Sequence, residues 1–207
     1  MIKRVLIVCS ESNINLNMFN NHNNFIIGVE RGCLDLISKK IKIDLAISDF
    51  DRVLPAELAI IKDYAIKIDV QNCEKDYLDG ELAILKAKEM YPNAPIVFIS
   101  KQTKRYDMSL SAINLVKNYD IKFVNDETLI QKLPKGINEL SFSNFEIYTY
   151  ISFFAISHTK ISIKNMKYNV KDFEFNSFDN KCISNALIIN QNPIISTSKE
   201  IIVIASK

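Results

Sequence analysis

Short apolar runs alternate with helical runs through the first half of the chain. Val5–Cys9 and Phe25–Val29 read as buried strands, and Cys33–Lys40 as a short helix. Leu45–Ser48 is a third strand, and Pro55–Tyr64 a helix with proline at its start. Ile66–Val70 predicts a strand, Gly80–Met90 a helix stopped before Pro92, and Ile96–Ser100 a strand. Leu110–Lys117 predicts one more helix. Apolar strands alternating with helices argue for a parallel sheet covered on both faces. After Lys117 the pattern changes. Ile121–Val124 and Leu129–Leu133 flank the polar turn Asn125-Asp126-Glu127. From Phe145 onward β-formers dominate, at Ile147–Phe154, Lys160–Lys164, Phe173–Phe175, Ala186–Ile189, Ile194–Ser196 and Ile201–Ala205. Short strands separated by polar turns predict an antiparallel sandwich. The expected fold is therefore α/β: an N-terminal parallel-sheet domain over residues 1–120, then a C-terminal antiparallel β-sandwich over residues 121–207.

A chain of 207 residues is long enough to bury a core without disulfides or a structural metal. The formal net charge is +2 and no dense Lys/Arg block occurs, so no nucleic-acid partner is expected. Cys9, Cys33, Cys73 and Cys182 are far apart in sequence and form no CxxC pair. With only His22 and His158 beside them, a zinc site is not expected. Reduced thiols in a cytoplasmic protein are the expectation. Val5–Cys9 is too short for a signal-peptide core or a membrane span, and no longer apolar run follows.

Three acidic clusters fall at strand ends, where open parallel sheets bind their ligands. They are Glu30-Arg31-Gly32, Ser48-Asp49-Phe50-Asp51, and Lys75-Asp76-Tyr77-Leu78-Asp79-Gly80-Glu81. Asp51 and Asp79 also stand near helix starts, where acidic residues cap and turn the chain. Three clusters on one rim favour a joint role. Gathered carboxylates repel one another unless a cation sits among them, and a hard-oxygen site suits magnesium with phosphates. Asp49-Phe50-Asp51-Arg52-Val53 also fits the DxDx[TV] motif of haloacid-dehalogenase-type phosphatases. That motif belongs after a first strand, however, and here it follows the third.

These blocks, in this order, resemble the thiamine diphosphokinase family over nearly the whole chain. The family pattern runs V-D-R-G, P-D-x-x-x-G-D-F-D-S and K-D-x-T-D-x-E. The chain has Val29-Glu30-Arg31-Gly32, Ile43-Asp44 through Ser48-Asp49-Phe50-Asp51-Arg52, and Lys75-Asp76-Tyr77-Leu78-Asp79-Gly80-Glu81. An R-x-D block before an apolar helix matches Arg105-Tyr106-Asp107. The family's L-K-Y-P and G-I-S-N-E match Met166-Lys167-Tyr168-Asn169 and Cys182-Ile183-Ser184-Asn185-Ala186.

The resemblance implies an ATP-dependent and magnesium-dependent transfer of a diphosphoryl group to the hydroxyl of thiamine, in a homodimer. Thiamine would lie between the catalytic domain of one subunit and the sandwich of the other. Asp49, Asp51 and Asp79 would hold magnesium and the ATP phosphates, supported by Glu30, Asp76 and Glu81. Arg31 and Lys75 would face phosphate. Arg105 and Asp107 would shape the region where thiamine meets ATP, with Asp107 orienting the hydroxyl or accepting its proton. Ser184 and Asn185 would contact the thiamine pyrimidine.

The chain departs from the pattern at several points. Glu30 is one methylene longer than the family Asp, Leu78 replaces Thr, Arg52 replaces Ser, Met108 follows Asp107 where His is usual, and Ala186 replaces Glu. The family's glycine-rich G-x-x-G-G-R loop is Ser100 to Arg105 here, without a glycine. A member that binds thiamine without turnover, and one acting on another alcohol such as a pterin, are the alternatives these departures leave open.

Overall fold

The computed structural model describes residues 2–72, 76–177 and 179–207. The chain divides into two compact units, one taking residues up to Met108 plus Ile121–Asp126, the other Ser109–Asp120 plus Glu127–Lys207.

In the first unit, β1 (Arg4–Val8), β2 (Asn24–Gly28), α1 (Arg31–Ser38), β3 (Leu45–Ser48), α2 (Pro55–Tyr64), β4 (Ile68–Val70), α3 (Asp79–Met90) and β5 (Ile96–Ile99) follow one another. Next come α4 (Tyr106–Tyr119), whose residues from Ser109 onward belong to the second unit, and β6 (Lys122–Val124). The strands lie in the order β4-β3-β2-β1-β5-β6, and each recorded pairing among them is parallel. All of Val5 to Val8 is buried. Leu6 and Val8 join Ile26, Cys33, Leu36 and Ile61 in one apolar cluster. Val5 and Ile7, which point the other way, are equally buried. Both faces of the sheet centre are therefore covered, which is why β1 lacks polar alternation. Proline at the first position of α2 and the Glu57 carboxylate accepting the Leu54 N–H (2.8 Å) start that helix where the sequence predicts it.

The chain runs outward from β1 through β2, β3 and β4 on one side, and through β5 and β6 on the other. That reversal makes the carboxyl ends of β1 and β5 a topological switch point. There the Lys101 N–H donates to Ser10 Oγ (2.5 Å), tying the loops after the two strands together.

In the second unit, β7 (Thr128–Leu133), β8 (Gly136–Glu139), a short α5 (Phe142–Phe145), β9 (Tyr150–Ala155), β10 (Thr159–Lys164), β11 (Val170–Phe175), β12 (Ile194–Thr197) and β13 (Ile201–Ser206) build two antiparallel arrays. One is β7-β13-β9 and the other β11-β10-β12-β8. This matches the predicted α/β-then-antiparallel layout. Three details differ from the sequence pattern. Ile121–Val124, grouped by the residue pattern with the antiparallel half, supplies β6, which pairs in parallel with β5 and belongs to the first unit. Ala186–Ile189 is not a strand: the segment from Asn185 to Leu187 makes isolated bridges, Ile151 to Asn185 and Met166 to Leu187. Gly136–Glu139 is a strand despite carrying a single apolar residue, because β12 supplies its ladder. Among the described residues no helix is long and apolar enough to cross a membrane.

Candidate active site

Glu30, Asp49 and Asp51 converge at the carboxyl ends of β2 and β3. One carboxylate oxygen from each lies within 4.8 Å of the others. Glu30 follows β2 directly and precedes α1. Its backbone takes φ 52°, ψ −128°, which a side chain with a Cβ adopts at a cost. Phe50, between the two aspartates, also has positive φ (58°). Its ring is buried in the apolar cluster of the first unit, so the loop is anchored by core packing while the flanking carboxylates turn outward. The Asp51 N–H donates to Asp49 Oδ1 (3.3 Å).

Glu30 is buried, and burial pushes its carboxyl above the usual range. Hydrogen bonds from the Arg52 N–H and the Ser48 hydroxyl oppose that rise, while the charges of Asp51 and Asp79 add to it. Three carboxylates this close suit a hard divalent cation that neutralises their repulsion. Their oxygen-only donor set fits magnesium, which takes few protein ligands and completes its shell with water and phosphate.

Asp79 is the first residue of α3, not the residue before it, and Glu81 lies in the same first turn. It stands outside the group of three but near enough for its charge to act on both Glu30 and Cys9. Asp76 is exposed in the preceding loop. Lys75 lies outside the described residues. Cys9 and Cys33 are free thiols. Burial raises both pKa values, Cys33 to about 12, so neither is a thiolate nucleophile at neutral pH.

Arg31 is exposed at the start of α1, with Nη1 3.6 Å from Glu57 Oε2. In the loop from Ser100 to Arg105, none of the residues takes a positive φ. The missing glycines therefore cost this backbone no strain. Arg105 grips Asp107 through two bonds, Nε to Oδ1 (3.2 Å) and Nη2 to Oδ2 (2.5 Å). The guanidinium holds the Asp107 carboxyl below the usual carboxylate range.

In the second unit, Ser184 is exposed, has φ 56°, and donates its N–H to Ser152 Oγ (3.0 Å). Asn185 is only 4% exposed. Its Oδ1 accepts the N–H groups of Tyr168 (3.0 Å) and Ala186 (2.9 Å), and its Nδ2 donates to Tyr168 O (2.8 Å). The amide thus holds the backbone of Tyr168, whose side chain stands exposed with Lys167 Nζ 5.2 Å from its ring centroid. The resemblance pairs Asn185 with the thiamine pyrimidine; in the structure its side-chain bonds run to the backbone of Tyr168 and Ala186. Ser48 and Ser10 were not singled out, although both hydroxyls accept loop N–H groups beside the rim. Ser48 closes β3 and Ser10 lies two residues past β1, and a hydroxyl side chain at the carboxyl end of a parallel strand is the signal that could have found them.

Comparison with known proteins places two profiles along the chain. "Thiamin pyrophosphokinase, catalytic domain" matches residues 16–126, and "Thiamin pyrophosphokinase, vitamin B1 binding domain" matches residues 138–202. A thiamine pyrophosphokinase of Bacillus subtilis is 30% identical over 169 residues, covering 78% of each chain. Among solved structures, a thiamine pyrophosphokinase from Bacillus subtilis superposes with a TM-score of 0.85 at 25% identity, covering 99% of each chain. A thiamin pyrophosphokinase family protein from Enterococcus faecalis gives a TM-score of 0.85 at 22% identity with the same coverage.

Proposed function

The chain belongs to the thiamin pyrophosphokinase family, and from that membership we propose that it transfers the diphosphoryl group of ATP to the primary hydroxyl of thiamine, giving thiamine diphosphate and AMP. The observation that carries this reading is the convergence of Glu30, Asp49 and Asp51 at the rim of a parallel sheet. Residues 1–120 supply the ATP and magnesium site, and residues 121–207 the thiamine site.

Glu30, Asp49 and Asp51, with Asp79 beside them, would hold magnesium. When bound, the ion neutralises charge on the triphosphate and on the group in transfer. The chain's own residues do the positioning. Arg31 faces phosphate, and Asp76 and Glu81 support the acidic rim. Arg105 fixes the Asp107 carboxylate. Because that pairing lowers its basicity, Asp107 orients the thiamine hydroxyl more than it abstracts the proton. Ser184 contacts the pyrimidine, and Asn185 presents the exposed Tyr168 ring to the substrate. Closing thiamine between two subunits excludes water, which would otherwise compete with the alcohol.

Incubation with ATP, magnesium and thiamine should release AMP and thiamine diphosphate. The AMP should appear only when thiamine is present. ADP with thiamine monophosphate would overturn the mechanism, and ATP-independent phosphate release would favour the phosphatase reading. A member that binds thiamine without turnover would show thiamine binding and no AMP.

A site shared in a homodimer has its own test. Asp49→Asn and Asn185→Ala chains, each inactive alone, should recover activity when mixed and allowed to exchange subunits. Each mixed dimer then carries one intact composite site. Mixed dimers that form and stay inactive would place both halves of the site in one chain.

A further inference from the structure

The loop Asp49–Arg52 must place two carboxylates, yet its backbone is strained at Phe50 and it projects from the end of β3. Three contacts hold it. The Phe50 ring is buried in the core. The Phe50 N–H donates to Ser48 Oγ (3.2 Å), and the Arg52 N–H donates to Glu30 Oε1 (3.4 Å). The last two contacts are joined, because the Ser48 hydroxyl spends its proton on the same Glu30 Oε1 (3.1 Å). Ser48 is wholly buried, and its carbonyl accepts the Gln71 N–H (2.9 Å), so it is fixed in the sheet. A chain of bonds thus runs from Phe50 through Ser48 to Glu30, and back from Glu30 to Arg52. It encloses the residue pair whose carboxylates define the rim.

Glu30 meets this requirement through its length. It comes from the next strand over, and its carboxylate both enters the acidic group and reaches Ser48 and Arg52. A hydroxyl in the buried position next to Asp49 is what gives Glu30 Oε1 a donor. The two residues are the places where this chain has Glu for the pattern's Asp and Ser for its Gly, and they touch.

We infer that Glu30 and Ser48 form a coupled positioning pair that sets the backbone of Asp49–Arg52 and so the placement of Asp49 and Asp51 for diphosphoryl transfer. This deepens the diphosphotransferase reading and rests on it. Ser48 is a positioning residue, acting through Glu30 and Phe50 and not on the substrate. A hydrogen bond to a charged group is worth enough that its loss relaxes the loop roughly tenfold or more.

The experiment compares Ser48→Ala, Glu30→Ala and the double variant with wild type. Ser48→Ala removes only the hydroxyl oxygen, so the fold should hold. Glu30→Asp, one methylene shorter, stands in if Glu30→Ala does not fold. Hydrogen–deuterium exchange of residues 49–52 in the ligand-free protein reads the loop directly, and steady-state AMP release reads kcat and the thiamine KM. Ser48→Ala should speed exchange at Phe50 and Arg52 and lower kcat by roughly tenfold, with thiamine KM unchanged. Adding Ser48→Ala to the Glu30 variant should change Arg52 exchange and kcat no further, while Phe50, whose N–H Ser48 Oγ accepts directly, reports on Ser48 alone. Wild-type exchange in Ser48→Ala overturns the proposal. So does faster exchange with wild-type kcat, and so do additive changes in Arg52 exchange or kcat in the double variant. If the wild-type protein releases no AMP, the diphosphotransferase reading fails. The exchange arm still decides whether Glu30 and Ser48 hold the loop.

Discussion

Asp49→Asn and Asp51→Asn should each lose about 10²–10³-fold in kcat, the scale on which a preorganised group that meets transition-state charge contributes. Each substitution removes one formal charge from a group whose oxygens lie within 4.8 Å. The cation held there would be bound less tightly, and the phosphate charge it offsets would be left uncompensated. The fold should persist. Asp51 is exposed and Asp49 is half-buried. The Asp49 Oδ1 that accepts the Asp51 N–H survives as the amide oxygen of Asn. Removing a charge from a crowded acidic rim also relieves repulsion. The measurement is AMP release over a magnesium titration, with circular dichroism melting on the same samples. Loss of rate that high magnesium partly restores, with an unchanged melt, is the expected pattern. Near-wild-type turnover in either variant would remove that residue from the site.

Gly32→Ala should destabilise the protein more than any single change at the acidic rim. The Cβ of an alanine there would lie 2.0 Å from Val8 O, 2.5 Å from Val8 C and 2.9 Å from Cys9 C. These are backbone atoms at the carboxyl end of the central strand and of the residue after it. The Val8 carbonyl already accepts the N–H of Val29, the residue after β2 (2.9 Å). Neither α1 nor β1 can yield without breaking core packing, so the cost is that of severe overpacking, roughly 3 kcal/mol or more. At this chain length that corresponds to a melting temperature lower by about 6–12 °C. Gly136→Ala is the control. Its φ of +113° disfavours a Cβ, but nothing lies within 4 Å of the added atom. That variant should lose only the conformational part, about 1 kcal/mol. Equal melts for the two alanines would mean the β1–α1 approach is not tight. Gly32 sits inside the block that resembles the family's V-D-R-G pattern, and the close approach gives that glycine a packing reason independent of any phosphate.

The sequence alone determined the elements whose signals are local. β3 and α2 have the bounds the residue pattern predicts, since Leu45–Ile47 is an apolar run closed by the polar Ser48 and Pro55 pre-sets the first turn of a helix. It determined the change from parallel α/β to antiparallel β, because strands buried on both faces and half-buried strands carry different periodicities. It also placed the three acidic clusters at strand ends and supplied the ordered blocks that mark the family. Tertiary structure decided everything that depends on which strands are neighbours. Glu30 and Asp49 are nineteen positions apart in sequence, and only the β2–β3 pairing brings their carboxylates together. No local rule marks Ser48 as the donor to Glu30, because that bond needs both the strand order and the extra methylene. The resemblance gives Asn185 a ligand contact, and its two side-chain bonds to the Tyr168 backbone are set by where the chain returns past that residue. β8 exists because β12 pairs with it, although its own residues give little strand signal. In each case the deciding energy comes from a partner distant in the chain, and a pattern read along one segment carries no information about that partner.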